Sequence, residues 1–440
     1  MIGDDDGGAD LLRILLLLDY NTRIVLVSAM ILGAASGVVG TFLLLRKRAL
    51  MGDVLSHAML PGVVIAFLVF ASVGLGKSLP ILLCGAAIMA IVAMGAVMGL
   101  RRLTALGDDA IMAIILGSFF GLGALLLGVA IQSPTGNQAG LESFIYGKAA
   151  SMTRADLWLI IGGAVAVLGV VAVLFKELRL LCFDEAFAGS IGRSVSALDA
   201  LLLGAVITMT LVGLQAVGLI LIIALLVIPP SAARFWTDDL RSTVVVSGLI
   251  GAVGCWGGVS ASAMAPKMPA GAMIVLALAA VFVLSALAGR THGLVGRGLR
   301  AIRLKRAVGR DHVLRALYEL RELGDREGST QASIVARRSW SEGHVSKLLA
   351  AAAARGEVLQ KGDSFTLSTF GVTEAASLVR NHRLWEEYLI RYAHLASSHV
   401  DRAADRIEHV LGPEIVLQLE RDLERTGDDP LQSPHEIQAG

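Results

Sequence analysis

Between residues 24 and 288 the chain passes from one long apolar stretch to the next, with turns and loops between them. About 20 apolar residues in a helix cross the hydrocarbon of a bilayer. Inside lipid only helices and closed barrels satisfy their own backbone groups. The pattern therefore predicts an all-α polytopic membrane domain. Apolar residues make up 55% of the 440 and charged residues 17%. The charge is concentrated at the end: residues 290–440 are rich in Arg, Glu, Asp and His, which predicts a soluble C-terminal domain. A net charge of +1 says little about partners, because the two halves face different solvents. The 3 cysteines are far apart, so no disulfide framework or thiolate cluster follows. The acidic start, MIGDDDGGAD, is not that of a cleavable signal peptide.

Residues 11–18 are too short to span. Spans are expected at 24–45, 57–74, 79–100, 110–131 and 157–175, then at 243–262 and 270–288. The basic loops at 46–48 and Arg101–Arg102 belong on the cytoplasmic side. Residues 200–228 decide the parity. Two short spans broken near Gly213–Gly218 return the chain to the cytoplasm and give about nine spans in all. A mere kink there gives about eight.

One stretch, RKRALMGDVLSHAMLPG at 46–62, carries chemistry. Asp53 and His57 are four apart, so a helix puts both on one face. His57 is also the only histidine before residue 290 in a chain that has 9. An ionisable pair at the edge of a span is costly and marks a functional position. Carboxylate and imidazole together suit Mn, Fe or Zn. The spacing alone leaves a second reading open, an ion pair with Asp53 as a helix cap. GDVLSHAMLPG resembles the signature of the permeases of metal-ion ABC importers, which take up manganese, zinc or ferrous iron. The resemblance implies that Asp53 and His57 contact the transported metal. It also implies a separate ATPase subunit, an extracytoplasmic metal-binding protein, a second permease chain and a place in the bacterial plasma membrane.

The loop 176–199 has a charged Phe-Asp-Glu-Ala-Phe-Ala core. It resembles the segment by which such permeases dock onto their ATPase, and this implies coupling roles for Phe183, Asp184, Glu185, Phe187 and Gly189. Residues 71–78, ASVGLGKS, imitate a phosphate loop. A working one follows a strand and opens a helix, whereas this one is a turn between spans. The chain is thus expected to bind no nucleotide and to be no enzyme itself.

The tail reads as a basic juxtamembrane linker (290–306), a winged-helix domain (307–370), a helical domain (371–425) and a disordered end (426–440), after an N-terminal segment (1–23) and the permease domain (24–289). Helices are expected at 310–323, 329–338, 341–355, 371–393 and 399–411, with a hairpin turning at Gly362-Asp363. NHRLWEEYL (381–389) and AADRIEHVLGPEIVLQLE (403–420) resemble the iron- and manganese-dependent repressors of the diphtheria-toxin-repressor family. The resemblance implies that His382, Asp405, Glu408 and His409 bind a regulatory metal. The first helix departs from the family pattern: His312 and Arg315 stand where carboxylates are expected, and only the histidine is able to ligate. Arg337, Arg338, His344 and Lys347 are the candidate DNA contacts. The reading is a metal-importer permease fused to a metal-sensor tail, with manganese or iron favoured and zinc open. The alternative is a membrane-anchored, metal-dependent transcription regulator.

Overall fold

A computed structural model describes residues 20–71, 78–132, 152–264, 268–325, 328–338 and 340–392. The chain divides into two units, 1–297 and 298–440.

Unit 1 has helices and no strand among its described residues. Its elements are α1 (Tyr20–Leu45), α2 (Met51–Ala71), α3 (Leu79–Leu103), α4 (Asp108–Gln132), α5 (Arg154–Val173), α6 (Phe175–Phe183), α7 (Glu185–Ser190), α8 (Val195–Val217), α9 (Leu219–Ala233), α10 (Leu240–Met264) and α11 (Ala270–Ala288). Among the described residues, 8 of these helices are long and apolar enough to cross a membrane. The bundle closes through small residues. A Cβ on Gly33 of α1 would lie 2.6 Å from the Gly251 carbonyl oxygen of α10, so the two backbones touch. Lipid supplies no hydrophobic drive between helices, and close backbone contact takes its place.

The region expected to break does break, at Gly218, with φ +84. The first piece is longer than expected: α8 begins at Val195 and runs 23 residues. The second, α9, has only 15 and is a short ninth apolar helix. The Gly218 N–H bonds the carbonyls of Gly213 and Leu214 at 3.2 Å. Gln215, buried beside the break, gives its amide to Asp156 Oδ1 at 2.8 Å. Helix α2 starts at Met51, six residues before the expected span. Asp53 and His57 interrupt the apolar run that sets a hydropathy boundary, but they do not interrupt a helix.

Unit 2 takes in most of α12 (Leu294–Glu322), followed by β1 (Ser329–Thr330), α13 (Gln331–Arg338), α14 (Glu342–Ala354), β2 (Val358–Lys361), β3 (Ser364–Leu367) and α15 (Thr369–Tyr392). The strands form an antiparallel sheet in the order β1-β3-β2, with Ser329 opposite Phe365 and Val358 opposite Leu367. Gly362 turns the hairpin with φ +63. The core joins Val313, Leu314 and Leu317 of α12 to Ile334, Val345, Leu349 and Phe365. Helix, strand, two helices and hairpin is the element order expected for a winged helix. The stretch read as a linker is helical from Leu294 onward, because its Arg, Leu and Ala residues favour helix and no proline interrupts it.

Candidate functional site

Helix α2 carries the marked stretch. Asp53 lies in its first turn, where the helix dipole favours a carboxylate. His57 follows a turn later, with Nε2 3.3 Å from Asp53 Oδ1. From Met51 to Val64 every residue is buried except these two. Their side chains are 30% and 25% exposed. Phe120 of α4 backs the imidazole edge-on, with ring centroids 5.0 Å apart. The His57 Nδ1 is buried and has no hydrogen-bond partner among the described residues. An unsatisfied buried polar atom costs about 1–3 kcal/mol, and one at a half-open pair of this kind suits a ring that takes a ligand.

The rest of the motif is explained by packing. A Cβ on Gly62 would lie 2.2 Å from the carbonyl oxygen of Gly85 in α3, so α2 and α3 cross backbone to backbone there. Gly52 faces Leu226 of α9. Ser56 gives its hydroxyl to the Gly52 carbonyl at 2.6 Å. Asp53 and His57 alone are left for chemistry. Among the described residues no group of three or more His, Cys, Asp or Glu is placed to hold a metal. At this site the described residues thus offer one carboxylate and one imidazole.

The predicted coupling segment folds as α6, a sharp corner and α7. Asp184 caps α7 by accepting the Phe187 N–H at 2.8 Å. Phe183, Phe187 and Ile191 are each more than half exposed, so three large apolar side chains crown the corner. Gly189 has open space where a side chain would stand. A charge network ties this corner to the entrance of α2. Arg46 gives Nη1 to the Leu181 carbonyl at 2.9 Å and to Glu185 Oε2 at 2.8 Å. Its Nη2 reaches Asp199 Oδ1 at 3.1 Å, and Arg48 reaches Asp199 Oδ2 at 2.6 Å. Burial works against the Arg46 charge, but the Glu185 hydrogen bond and the Asp199 and Glu185 charges outweigh it and hold the guanidinium above its ordinary value. Burial pushes the neighbouring Cys182 thiol up to about 11, against the pull of Arg46, so it is no ready metal ligand.

In unit 2, His382 of α15 is buried, 2% exposed. Its Nδ1 is 2.7 Å from Arg315 Nη1, and its Nε2 is 3.0 Å from Glu386 Oε1. Arg315 also gives Nε to Glu319 Oε1 at 2.7 Å. His312 packs edge-on against Trp340, ring centroids 6.2 Å apart. Asp405, Glu408 and His409 lie outside the described residues, as do the side chains of Arg337 and Arg338. On α14, His344 and Lys347 are exposed while Val345, Leu348 and Leu349 pack inward.

Residues 19–289 match the model of the ABC 3 transport family. The chain belongs to that family. Residues 369–436 match a second model, the iron dependent repressor metal binding and dimerisation domain. The manganese transport system membrane protein MntC of Bacillus subtilis is 38% identical over 299 residues, 68% of each chain. The zinc transport system membrane protein TroC of Treponema pallidum is 40% identical over 63% of this chain and 92% of its own. A probable metal transport system membrane protein of Chlamydia trachomatis is 27% identical over 90% of this chain and 91% of its own, so that likeness extends into the tail. The solved structure of PsaBC from Streptococcus pneumoniae in complex with Fab is 28% identical, with a TM-score of 0.55, over 63% of this chain and 95% of that one.

This ABC 3 family chain is thus a multi-pass membrane protein with a repressor-like tail. Sequence reading missed Asp199 and the joint roles of Arg46 and Arg48. The signal was there: an acid opens the apolar run at 200, and the basic triplet needs a counter-charge. It also missed Glu386, which stands four residues after His382 inside the quoted motif.

Proposed function

We propose that the chain is the permease subunit of an ABC importer for divalent transition metals. The carrying observation is the pair on α2: of fourteen consecutive positions, 51–64, only Asp53 and His57 are left part-open, and they face each other at 3.3 Å. A carboxylate with an imidazole binds Mn, Fe and Zn alike. The relatives named for manganese and zinc support the same class of cargo. Two donors are too few to strip an ion of its water. A second permease chain, another copy or a sister, brings a second pair and makes a four-ligand path.

In this reading an extracytoplasmic binding protein delivers the ion, and separate ATPase subunits drive alternating access. The ATPase docks on the crown of Phe183, Phe187 and Ile191. Its movement reaches α2 through Glu185, Arg46, Asp199 and Arg48, because those charges clamp the corner to the turn that precedes Met51. Nine spans with the basic loops inside support a cytoplasmic tail, and there it regulates the permease. Cells expressing the chain with its ATPase and binding protein should take up one of Mn, Fe(II) or Zn. The Asp53→Ala/His57→Ala double variant should lose that uptake while still reaching the membrane. Unchanged uptake in the double variant sinks the site.

A further inference from the structure

The match over 369–436 is to a domain described as metal binding, yet the chemistry around His382 does not fit a metal at that ring. A neutral imidazole has one lone pair, and a metal needs it. An arginine has only donors. With Arg315 Nη1 at 2.7 Å, Nδ1 has to be the acceptor, so the lone pair is spent there. Nε2 then carries the ring hydrogen and donates it to Glu386 Oε1 at 3.0 Å. Neither nitrogen is left to ligate. Swapping the roles does not help, because two donors cannot share one hydrogen bond.

Charge and burial agree. Glu386 is 0% exposed, His382 2% and Arg315 3%. Carboxylates so placed need a positive charge nearby. Arg315 supplies it: it holds Glu319 directly at 2.7 Å and Glu386 through the imidazole. An arginine is charged at every physiological pH and does not dissociate as an ion does.

We infer that Arg315 is the built-in cation of this site. It takes the lone pair of His382 that a transition metal would need, so the His382–Glu386 pair is held by a guanidinium and His382 is not a metal ligand. The tail then does not read cytosolic metal at His382. This deepens the regulatory reading of the tail and rests on it only for that consequence. It is independent of Asp53 and His57.

The test uses the full chain in detergent, with Asp53→Ala/His57→Ala as background so that the transport pair is silent. Bound Mn(II) and Zn(II) are measured by equilibrium dialysis. Adding His382→Ala to the background should leave stoichiometry and affinity unchanged. Adding Arg315→Met instead should tighten binding at least about tenfold, the scale on which groups around a metal tune affinity, and that gain should vanish when His382→Ala joins it. Loss of a bound ion on His382→Ala alone overturns the inference. A second measurement stands if a variant fails to fold. In the unsubstituted chain labelled with nitrogen-15 histidine, the His382 ring should show its hydrogen on Nε2 and stay unmoved by Zn(II). A Zn(II)-dependent shift of either ring nitrogen of His382 overturns it. Comparing metal bound by the background with that bound by the unsubstituted chain reports on the transport pair separately, so the two readings fail in different measurements.

Discussion

The molecule carries the same two side-chain types at the same spacing twice. On α2 a carboxylate precedes an imidazole by four residues, and on α15 an imidazole precedes a carboxylate by four. Both pairs sit within about one hydrogen-bond length. Their surroundings differ. The α2 pair is part-open, loosely joined at 3.3 Å, and backed by an aromatic ring that offers no strong hydrogen bond. The α15 pair is sealed and capped by a guanidinium at 2.7 Å. Spacing brings two ligands onto one face. Whether they have a lone pair and an opening to offer is decided by what the fold sets beside them.

The largest expected contrast is between the two histidines. His57→Ala should reduce metal uptake to that of cells without the chain. His382→Ala at the same membrane level should leave saturated uptake within about fivefold, since no metal contact is lost there and only the coupling of the tail, about 1 kcal/mol at the low end of such couplings, is disturbed. Equal losses of uptake in both variants break the comparison.

Next in size is the network that anchors the α2 entrance. Asp199 has a side chain only 9% exposed and accepts from both Arg46 and Arg48. Removing one partner of a buried ion pair costs about 3–5 kcal/mol, because the charges left behind are unpaired. Asp199→Ala should lower the melting temperature of the purified chain by many degrees. Asp199→Asn, which keeps the acceptor on one side, should lose less. If the loss is small but ATP hydrolysis continues without uptake, Asp199 transmits motion more than it holds the fold.

How much of this was legible beforehand follows from which signals are local. The spans, the break at Gly218 and the hairpin at Gly362 are set by nearby residues, by apolar length or by a glycine that tolerates positive φ. The α2 start was misplaced because a hydropathy boundary is not a helix boundary, and Asp53 favours the first turn of a helix while interrupting the apolar run. The Asp53–His57 pair was legible because both members lie within one turn. Asp199 with Arg46 spans 153 residues, and Arg315 with His382 spans 67. No periodicity carries such pairings. Arg315 was visible as a residue unable to ligate, but that it would consume the histidine's lone pair could not be read without the fold.

A moderate effect should follow from making the first pair resemble the second. Phe120 stands 5.0 Å from His57 by ring centroids and is 47% exposed. Phe120→Arg sets a guanidinium within reach of the imidazole. It should compete with the metal for the ring and cut uptake at least about tenfold, as changes beside metal ligands do. Phe120→Leu, of similar polarity and no charge, should cost far less. If both substitutions behave alike, the aromatic ring matters for packing and the guanidinium argument fails at α2.

The smallest expected effect lies at the far end of the α15 site. Glu319 accepts Arg315 Nε at 2.7 Å and fixes the direction in which the guanidinium points. Glu319→Gln keeps an acceptor and removes a charge, which for one hydrogen bond to a charged group amounts to about 1.5–3 kcal/mol at most, and less when the acceptor is kept. Thermal unfolding of the tail should therefore shift by a few degrees, with metal uptake unchanged. The informative reading is the metal dependence. If Arg315 stays on the ring, Glu319→Gln leaves the response of the tail to Zn(II) as it was, because the lone pair of His382 stays occupied. If Zn(II) now raises the unfolding temperature, the arginine was held on the ring by Glu319 and swings away without it. The closed pair on α15 would then be held shut through Glu319, and the difference between the two pairs would be a matter of positioning and not of ligand chemistry.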